Sequence, residues 1–275
     1  MADIKTGIQM WSINDICMKE GLPRAFQYVR ELGYEGFEFA LGDCATLKEK
    51  CGMDAAEVKK AADAVGLALI GTHLSFDQLM KDPQPIIDEC KELGLPYAAI
   101  GPAFFADRTP FAEQKEIYRN VRDLAALFKK NGIQLQVHCS AFGYMRDYCG
   151  RYVVDAMFEE AGLSNLQPEF DTAWMICGGV IPTVYLKKYT GYVDMLHFKD
   201  FHPPMEDSDF VMVRHNEINE HDRGCAVGED GIQDLHSIIE AAKAAGTKWV
   251  LVELWNEPEA LKNAEISIRN LKKYL

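Results

Sequence analysis

A repeated unit, in which a helix-like segment ends at a glycine and a short apolar run follows, constrains the fold more than any other feature of this chain. The unit occurs six times, and its first five glycines lie 28 to 38 residues apart. A glycine just past a helix end adopts the left-handed conformation without a Cβ clash. Each unit therefore predicts a helix that turns directly into a strand. The six glycines are Gly33, Gly66, Gly94, Gly132, Gly162 and Gly246.

Two more apolar runs, at residues 8–11 and 193–197, bring the predicted strands to eight. Eight strands that alternate with helices predict an α/β fold, a single (β/α)8 TIM barrel that occupies residues 1–275 as one domain. A doubly wound open sheet is the alternative, but it usually has fewer strands, and no glycine-rich phosphate loop follows the first strand. The longest irregular stretch, residues 201–231, predicts a long loop after strand 7, on the face where TIM barrels carry their active sites.

The charge and the composition exclude several partners. The chain has 42 acidic and 29 basic residues, a formal net charge of -13. Such a surface repels phosphate backbones and anionic membranes, so neither nucleic acid nor a membrane is expected as a partner. The N-terminus lacks the layout of a secretory signal, and the eight cysteines form no C-x-x-C pair, which favours a cytoplasmic location. The sequence leaves open whether the chain forms a homo-oligomer.

Polar residues at the ends of the predicted strands indicate a metal site. The carboxyl ends of barrel strands meet on one face, and His138, Asp171, His197 and Glu253 each end a different strand. Two imidazoles and two carboxylates suit one divalent ion such as Mn²⁺, Zn²⁺, Co²⁺ or Mg²⁺. Taken singly, each residue also suits a structural role, such as a helix cap or an ion pair. Four separate strand ends together favour the metal.

Other strand ends carry candidates for substrate binding. Lys199 lies on the same side of its strand as His197, because side chains alternate, and it suits either a substrate contact or a structural ion pair. Trp11, Glu38 and His73 end the first three strands and are assigned to substrate binding, with structural roles as the alternative.

Several motifs resemble those of the sugar phosphate isomerase/epimerase superfamily, which has a xylose-isomerase-like TIM barrel. The most specific are FDTAW at 170–174, GYVDMLHFKD at 191–200 and VELW at 252–255. VGEDGI at 227–232 looks like the family's Gly-Glu-Gly loop with one extra residue. The resemblance covers the whole chain and implies one metal ligand from each of strands five to eight. It carries over directly onto the last three of the four predicted ligands.

The fifth strand departs from the family pattern. The ligand there is commonly glutamate in a Glu-Asn-His string, and many relatives have His-Asn-His; this chain has His138-Cys139-Ser140. A metal-bound histidine is a poor proton acceptor while its lone pair is engaged. Lys199, Glu229 or a metal-bound water is therefore a candidate for the second acid or base.

The resemblance implies a metal-dependent isomerase or epimerase that acts on a ketose, an inosose or a related polyol through a metal-stabilised enediolate. Glu253 would be ligand and base, with Lys199 and His138 as further catalytic candidates. Glu229 and Arg223 would contact the substrate, although no loop typical of phosphate binding is evident. An inosose-dehydratase-type lyase and a non-catalytic sugar-binding barrel are the alternatives. An endonuclease-IV-like enzyme shares the fold but needs more histidines and acids than this ring provides.

Overall fold

Parallel strands close into a barrel in the computed structural model of the chain, which describes residues 3–101, 109–202, 224–255 and 259–275. The strands are β1 (Lys5–Gln9), β2 (Gly36–Ala40), β3 (Ala68–Leu74), β4 (Tyr97–Ile100), β5 (Gln134–Cys139), β6 (Leu166–Asp171), β7 (Met195–Phe198), β8 (Asp200–Phe201), β9 (Gly224–Cys225) and β10 (Trp249–Val252). Strands β1 to β7 pair in sequence order, and β10 lies between β7 and β1. The predicted eight-stranded TIM barrel is confirmed.

Helices surround the barrel and bury one apolar face each. In α2, the buried residues Leu22, Ala25, Phe26 and Val29 follow the helical spacing that places them on one side. No helix in the described ranges is long and apolar enough to cross a bilayer. The α-helices are α1 (Asn14–Lys19), α2 (Leu22–Leu32), α3 (Leu47–Cys51), α4 (Ala55–Val65), α5 (Phe76–Lys81), α6 (Gln84–Leu93), α7 (Phe111–Lys130), α8 (Val153–Ala161), α9 (Thr172–Cys177), α10 (Pro182–Lys188), α11 (Leu235–Ala245) and α12 (Ala260–Leu271).

All six glycines of the repeated unit have a positive φ, between 69° and 93°. Gly66 shows how the turn works, because its N–H and that of Leu67 both donate to the carbonyl of Ala62. These bonds satisfy carbonyls that the end of α4 leaves free, and Leu67 is buried as the chain enters β3. The helix-to-strand turns predicted from sequence are therefore present.

The first strand is shorter than predicted. It ends at Gln9, and a 3-10 helix covers Met10–Ile13. The side-chain carbonyl of Gln9 accepts a hydrogen bond from the Trp11 N–H at 2.6 Å, which turns the chain out of the strand. Gln9, which is 2% exposed, is thus the last side chain that β1 buries, while Trp11 is 40% exposed.

An apolar floor closes the lower part of the barrel interior. Five buried side chains form a cluster separate from the main core: Ile70, Tyr97, Met195, Trp249 and Leu251. Polar side chains lie two residues beyond this layer: His197 follows Met195 on β7, and Glu253 follows Leu251 just past the end of β10. The polar site therefore rests on an apolar layer at the carboxyl ends of the strands.

The long loop predicted after strand 7 begins and ends in the antiparallel pair β8 and β9. Residues 203–223, which include Arg223, lie outside the described residues. Asp200 holds the segment after β9 in place. Its carboxylate accepts hydrogen bonds from the N–H groups of Gly228 and Ile232 at 3.0 and 3.1 Å. A Cβ atom at Gly231 would lie 2.2 Å from that carboxylate, so only glycine fits there.

Candidate metal and substrate site

Four side chains from consecutive strands of the barrel meet at its carboxyl end. His138 comes from β5, Asp171 from the last position of β6, His197 from β7 and Glu253 from the residue after β10. Each offers a ligand-type atom, and these atoms all lie within 4.8 Å of one another. No more than 9% of any of the four residues is exposed. The four residues predicted as metal ligands are therefore in one place, which we call the upper ring.

The donor atoms of the upper ring fit a divalent ion. His138 Nε2 lies 3.3 Å from Glu253 Oε2 and 3.8 Å from Asp171 Oδ2. Neither His138 Nε2 nor Asp171 Oδ2 has a hydrogen-bond partner among the described residues, although both are buried. Buried polar atoms are normally paired, and nitrogen and carboxylate oxygen are donors that Zn²⁺, Mn²⁺ or Co²⁺ accept.

Asp171 caps a helix with one carboxylate oxygen and directs the other into the upper ring. Its Oδ1 accepts the N–H of Trp174 at 2.9 Å and so caps α9. Its Oδ2 remains in the upper ring without a hydrogen bond. Burial and the charge of Glu253 raise the pKa of Asp171, which reflects how costly two buried carboxylates are without a cation between them.

Lys199 lies beside the upper ring and pairs with Glu253. Its Nζ donates to Glu253 Oε1 at 2.9 Å, and the residue is 3% exposed. The ammonium also lies over the Trp255 ring, 4.2 Å from the centroid. Burial by itself raises the pKa of Glu253, but Lys199 and His138 outweigh it and hold that pKa well below its usual range. Glu253 is therefore a carboxylate at neutral pH.

A second group of polar side chains lies directly below the upper ring and shares His197 with it. The group, which we call the lower group, contains Glu38, His73, Glu169 and His197, with ligand-type atoms again within 4.8 Å of one another. His73 Nε2 lies 3.0 Å from Glu169 Oε2 and 3.2 Å from Glu38 Oε2. Burial lowers the pKa of His73, but the two carboxylates outweigh it and raise that pKa to about 10.

Glu169 is a site residue that the sequence reasoning missed. It lies within β6, fully buried, two positions before Asp171. Residues two apart on a strand point to the same side, so the alternation from Asp171 carried the signal. Gln9 was missed for a related reason, because β1 was expected to reach Trp11. Its amide nitrogen lies 3.2 Å from His73 Nδ1.

A cavity of about 430 Å³ opens beside His73, at the carboxyl ends of the neighbouring strands β2 to β4. Its other lining residues include Ser75 and the exposed acids Asp43 and Asp77. His73, with 20% of its side chain exposed, is the predicted substrate-binding residue that lines this cavity.

The remaining predicted substrate contacts have different surroundings. Glu38 is only 1% exposed and faces the two histidines of the lower group. Trp11 is an exposed residue of the 3-10 helix, and Glu229 is exposed on the segment that Asp200 fastens. Arg223 lies outside the described residues.

The model of the xylose isomerase-like TIM barrel family matches residues 26–274, which is most of the chain. The chain therefore belongs to the xylose isomerase-like TIM barrel family. A comparison with curated proteins finds no match.

Solved structures with the same fold cover nearly the whole chain. A sugar phosphate isomerase/epimerase from Parabacteroides distasonis ATCC 8503 is 18% identical, with a TM-score of 0.75 over 99% of this chain and 94% of that one. The apo form of 3-keto-D-glucoside 4-epimerase from E. coli is 18% identical, with a TM-score of 0.72 over 98% and 100% of the two chains. The IolI protein with a bound zinc atom is 14% identical, with a TM-score of 0.75 over 99% of each chain. At this level of identity the likeness establishes the fold alone.

Proposed function

We propose that this protein is a divalent-metal-dependent isomerase or epimerase of a ketose, an inosose or a related polyol. The observation that carries the proposal is the upper ring: two imidazoles and two carboxylates, all buried, with ligand-type atoms within 4.8 Å of one another. The names of two similar structures agree with it, since one is a 3-keto-D-glucoside 4-epimerase and another holds zinc.

The upper ring supplies the ligands, and Glu253 within it and Lys199 beside it supply the proton chemistry. His138, Asp171, His197 and Glu253 would hold the ion. When bound, a divalent ion polarises a substrate carbonyl and lowers the energy of the negative charge that forms as the α-proton leaves. The apolar floor of the barrel and the burial of the ring keep bulk water away from that charge.

Glu253 is the group best suited to accept the proton. It is ionised at neutral pH, because Lys199 and His138 hold its pKa low, and its Oε1 is bonded to the Lys199 ammonium. The proton would move from the α-carbon of the substrate to the Glu253 carboxylate and leave an enediolate. Lys199 would donate a hydrogen bond to a substrate oxygen. Delivery of a proton to the neighbouring carbon would complete an isomerisation, and delivery to the opposite face of the same carbon would complete an epimerisation.

His73 would orient the substrate. Its ring lines the cavity, and its Nε2 is held by Glu169 and Glu38. A ring held by carboxylates at Nε2 and by Gln9 at Nδ1 has a defined orientation and offers its exposed surface to a polyol in the cavity. Trp11, Glu229 and Arg223 remain proposed substrate contacts.

Hydrogen exchange in heavy water tests the proposal. The purified protein, loaded with Mn²⁺, is incubated with a panel of ketoses and inosose in D₂O, and deuterium at the α-carbons is followed by NMR. We expect uptake with at least one substrate, its loss in Glu253→Gln, and its retention in the surface control Glu116→Gln, which changes the charge by the same amount. No uptake across the panel by the metal-loaded protein would overturn the proposal.

The same experiment separates the alternatives. Deuterium uptake followed by loss of water, with an unsaturated diketone chromophore, would identify an inosose-dehydratase-type lyase. Saturable substrate binding that is unchanged in Glu253→Gln and has no exchange in either protein would identify a non-catalytic sugar-binding barrel.

A further inference from the structure

The lower group contains three buried ligand-type atoms that the proposed reaction does not use. They are Glu38 Oε2 on β2, Glu169 Oε1 on β6 and His197 Nε2 on β7, from residues that are at most 1% exposed. None of the three atoms has a hydrogen-bond partner among the described residues. We propose that these three atoms form a second divalent-cation site, one layer below the upper ring.

The spacing of the three atoms matches a coordination sphere. His197 Nε2 lies 2.9 Å from Glu38 Oε2 and 3.4 Å from Glu169 Oε1, yet neither contact has hydrogen-bond geometry. Ligands that each lie about 2.1 Å from one ion are about 3.0 Å apart at right angles and about 3.4 Å apart at the tetrahedral angle. The atoms thus converge at the separations of ligands that share an ion.

His73 supports the lower site as a hydrogen-bond donor and leaves its ligand atoms free. Gln9 Oε1 accepts the Trp11 N–H, and the amide nitrogen of Gln9 lies 3.2 Å from His73 Nδ1 on the far side of the ring from the carboxylates. His73 Nε2 faces two carboxylates, so it carries a hydrogen and donates to Glu169 Oε2 at 3.0 Å. This bond orients the Glu169 carboxylate with its other oxygen, Oε1, toward the proposed ion.

His197 connects the two sites and makes them compete. Its Nδ1 lies 2.7 Å from Glu253 Oε2 and its Nε2 faces Glu38 and Glu169. An imidazole binds a metal ion in its neutral form, which has one N–H and one lone pair. When Nδ1–H donates to Glu253, the lone pair on Nε2 faces the lower site; in the other tautomer, Nδ1 serves the upper ring. An ion bound through His197 at one position therefore weakens binding at the other.

Charge also favours a cation in the lower site. Two carboxylates, Glu38 and Glu169, lie in the barrel interior, and their charge partners in the described part of the chain are the imidazoles of His73 and His197. Buried carboxylates require compensating charge. A divalent ion bound to His197 Nε2 would take the place of a proton on that nitrogen and supply this charge, whereas the upper ring already has the Lys199 ammonium beside Glu253.

Equilibrium dialysis with Co²⁺ alone measures metal binding to three variants and one control, and so tests the second site. The variants are His138→Gln in the upper ring, Glu38→Gln in the lower group, and the double variant, with Glu116→Gln as the surface control. We expect His138→Gln to retain one Co²⁺ and the double variant to bind it more than about 100-fold more weakly. Glu169→Gln replaces Glu38→Gln if the latter lacks the circular dichroism spectrum and cooperative unfolding of the wild type.

Crystals soaked in Mn²⁺ provide the positional test by anomalous scattering. A peak between Glu38, Glu169 and His197 in the His138→Gln variant would support the second site. A folded His138→Gln variant that binds no Co²⁺, or that shows a peak confined to the upper ring at saturating Mn²⁺, would overturn it. Neither measurement depends on turnover, so a protein that fails to exchange deuterium could still bind a cation at the lower site.

Discussion

Lys199 and Glu253 form a hydrogen-bonded ion pair inside the mouth of the barrel, with Nζ and Oε1 2.9 Å apart and both residues at most 6% exposed. A buried pair of this kind loses much of its hydration, so its partners must satisfy each other. The pair determines the charge state of Glu253, which is both a member of the upper ring and the proposed base.

Replacement of Lys199 with methionine should reduce turnover and shift its pH dependence. Loss of the ammonium removes the main attraction that lowers the pKa of Glu253, so this pKa rises. Because the base must be ionised, the acidic limb of the kcat/KM profile moves to higher pH, and kcat/KM at neutral pH falls by about 10²–10⁴-fold. Lys187→Met, on the exposed side of α10, is the control. An unchanged profile would show that Lys199 does not act through Glu253.

Metal should stabilise the folded protein. An ion that binds only the native state at 100 times its dissociation constant adds about 2.7 kcal/mol to the free energy of unfolding. We expect Tm to rise by several degrees with Mn²⁺ or Zn²⁺, and a chelator to reverse the change. The double variant His138→Gln, Glu38→Gln should lose the response, because it removes one ligand-type atom from each group. An equal rise in the double variant would place the bound ions elsewhere.

Alanine at Gly231 should destabilise the segment that follows the long loop. The new Cβ would lie 2.2 Å from the Asp200 carboxylate, which binds the N–H groups of Gly228 and Ile232. Relief of the clash displaces that carboxylate, and overpacking of this kind costs about 1–3 kcal/mol. Thermal unfolding measures the loss, and Gly101→Ala, where the added Cβ meets no described atom within 4 Å, is the matched control. Equal Tm values for both variants would contradict this packing.

Asp147 should stabilise the fold in a pH-dependent way. Burial tends to raise its pKa, but hydrogen bonds from the N–H groups of Arg151 and Cys149, and from the Arg151 guanidinium at 2.8 Å, outweigh burial and lower it. A folded-state pKa below the unfolded value of about 3.9 means that the contribution is present above that pH and is lost as the pH falls through the folded value. In urea unfolding, Asp147→Asn should cost about 1–3 kcal/mol at pH 7 and progressively less below pH 4. A constant difference between the two proteins across this range would contradict the assignment.

The barrel was predictable because its signals are local. A glycine after a helix specifies a turn through its own backbone, and Gly66 and Gly246 take the left-handed conformation that the pattern predicts. The upper ring was predictable for a related reason, since the fold brings the carboxyl ends of parallel strands together whatever their separation in the chain. His138 and Glu253 are 115 residues apart in sequence and 3.3 Å apart in space.

The lower group depended on strand register, which local patterns determine weakly. In the pairing of β6 with β7, Asp171 lies opposite His197, and Glu169 lies two residues earlier, opposite Met195. This register brings Glu169 to His73 and His197. Gln9 contacts His73 from the last position of β1, which ends two residues before the predicted end of that strand.

The sequence by itself determined the alternation of helices and strands, the closed barrel and four ligand-type residues at its mouth, because each follows from local backbone preference and side-chain alternation. Only the tertiary structure decided which polar atoms meet. It paired Lys199 with Glu253, turned one Asp171 oxygen to α9 and the other to the upper ring, and placed His197 between two groups of carboxylates. Those contacts depend on how deep each side chain lies in the barrel, on the register between strands and on the orientation of the imidazole rings. All three are set only when the eight strands close into a barrel.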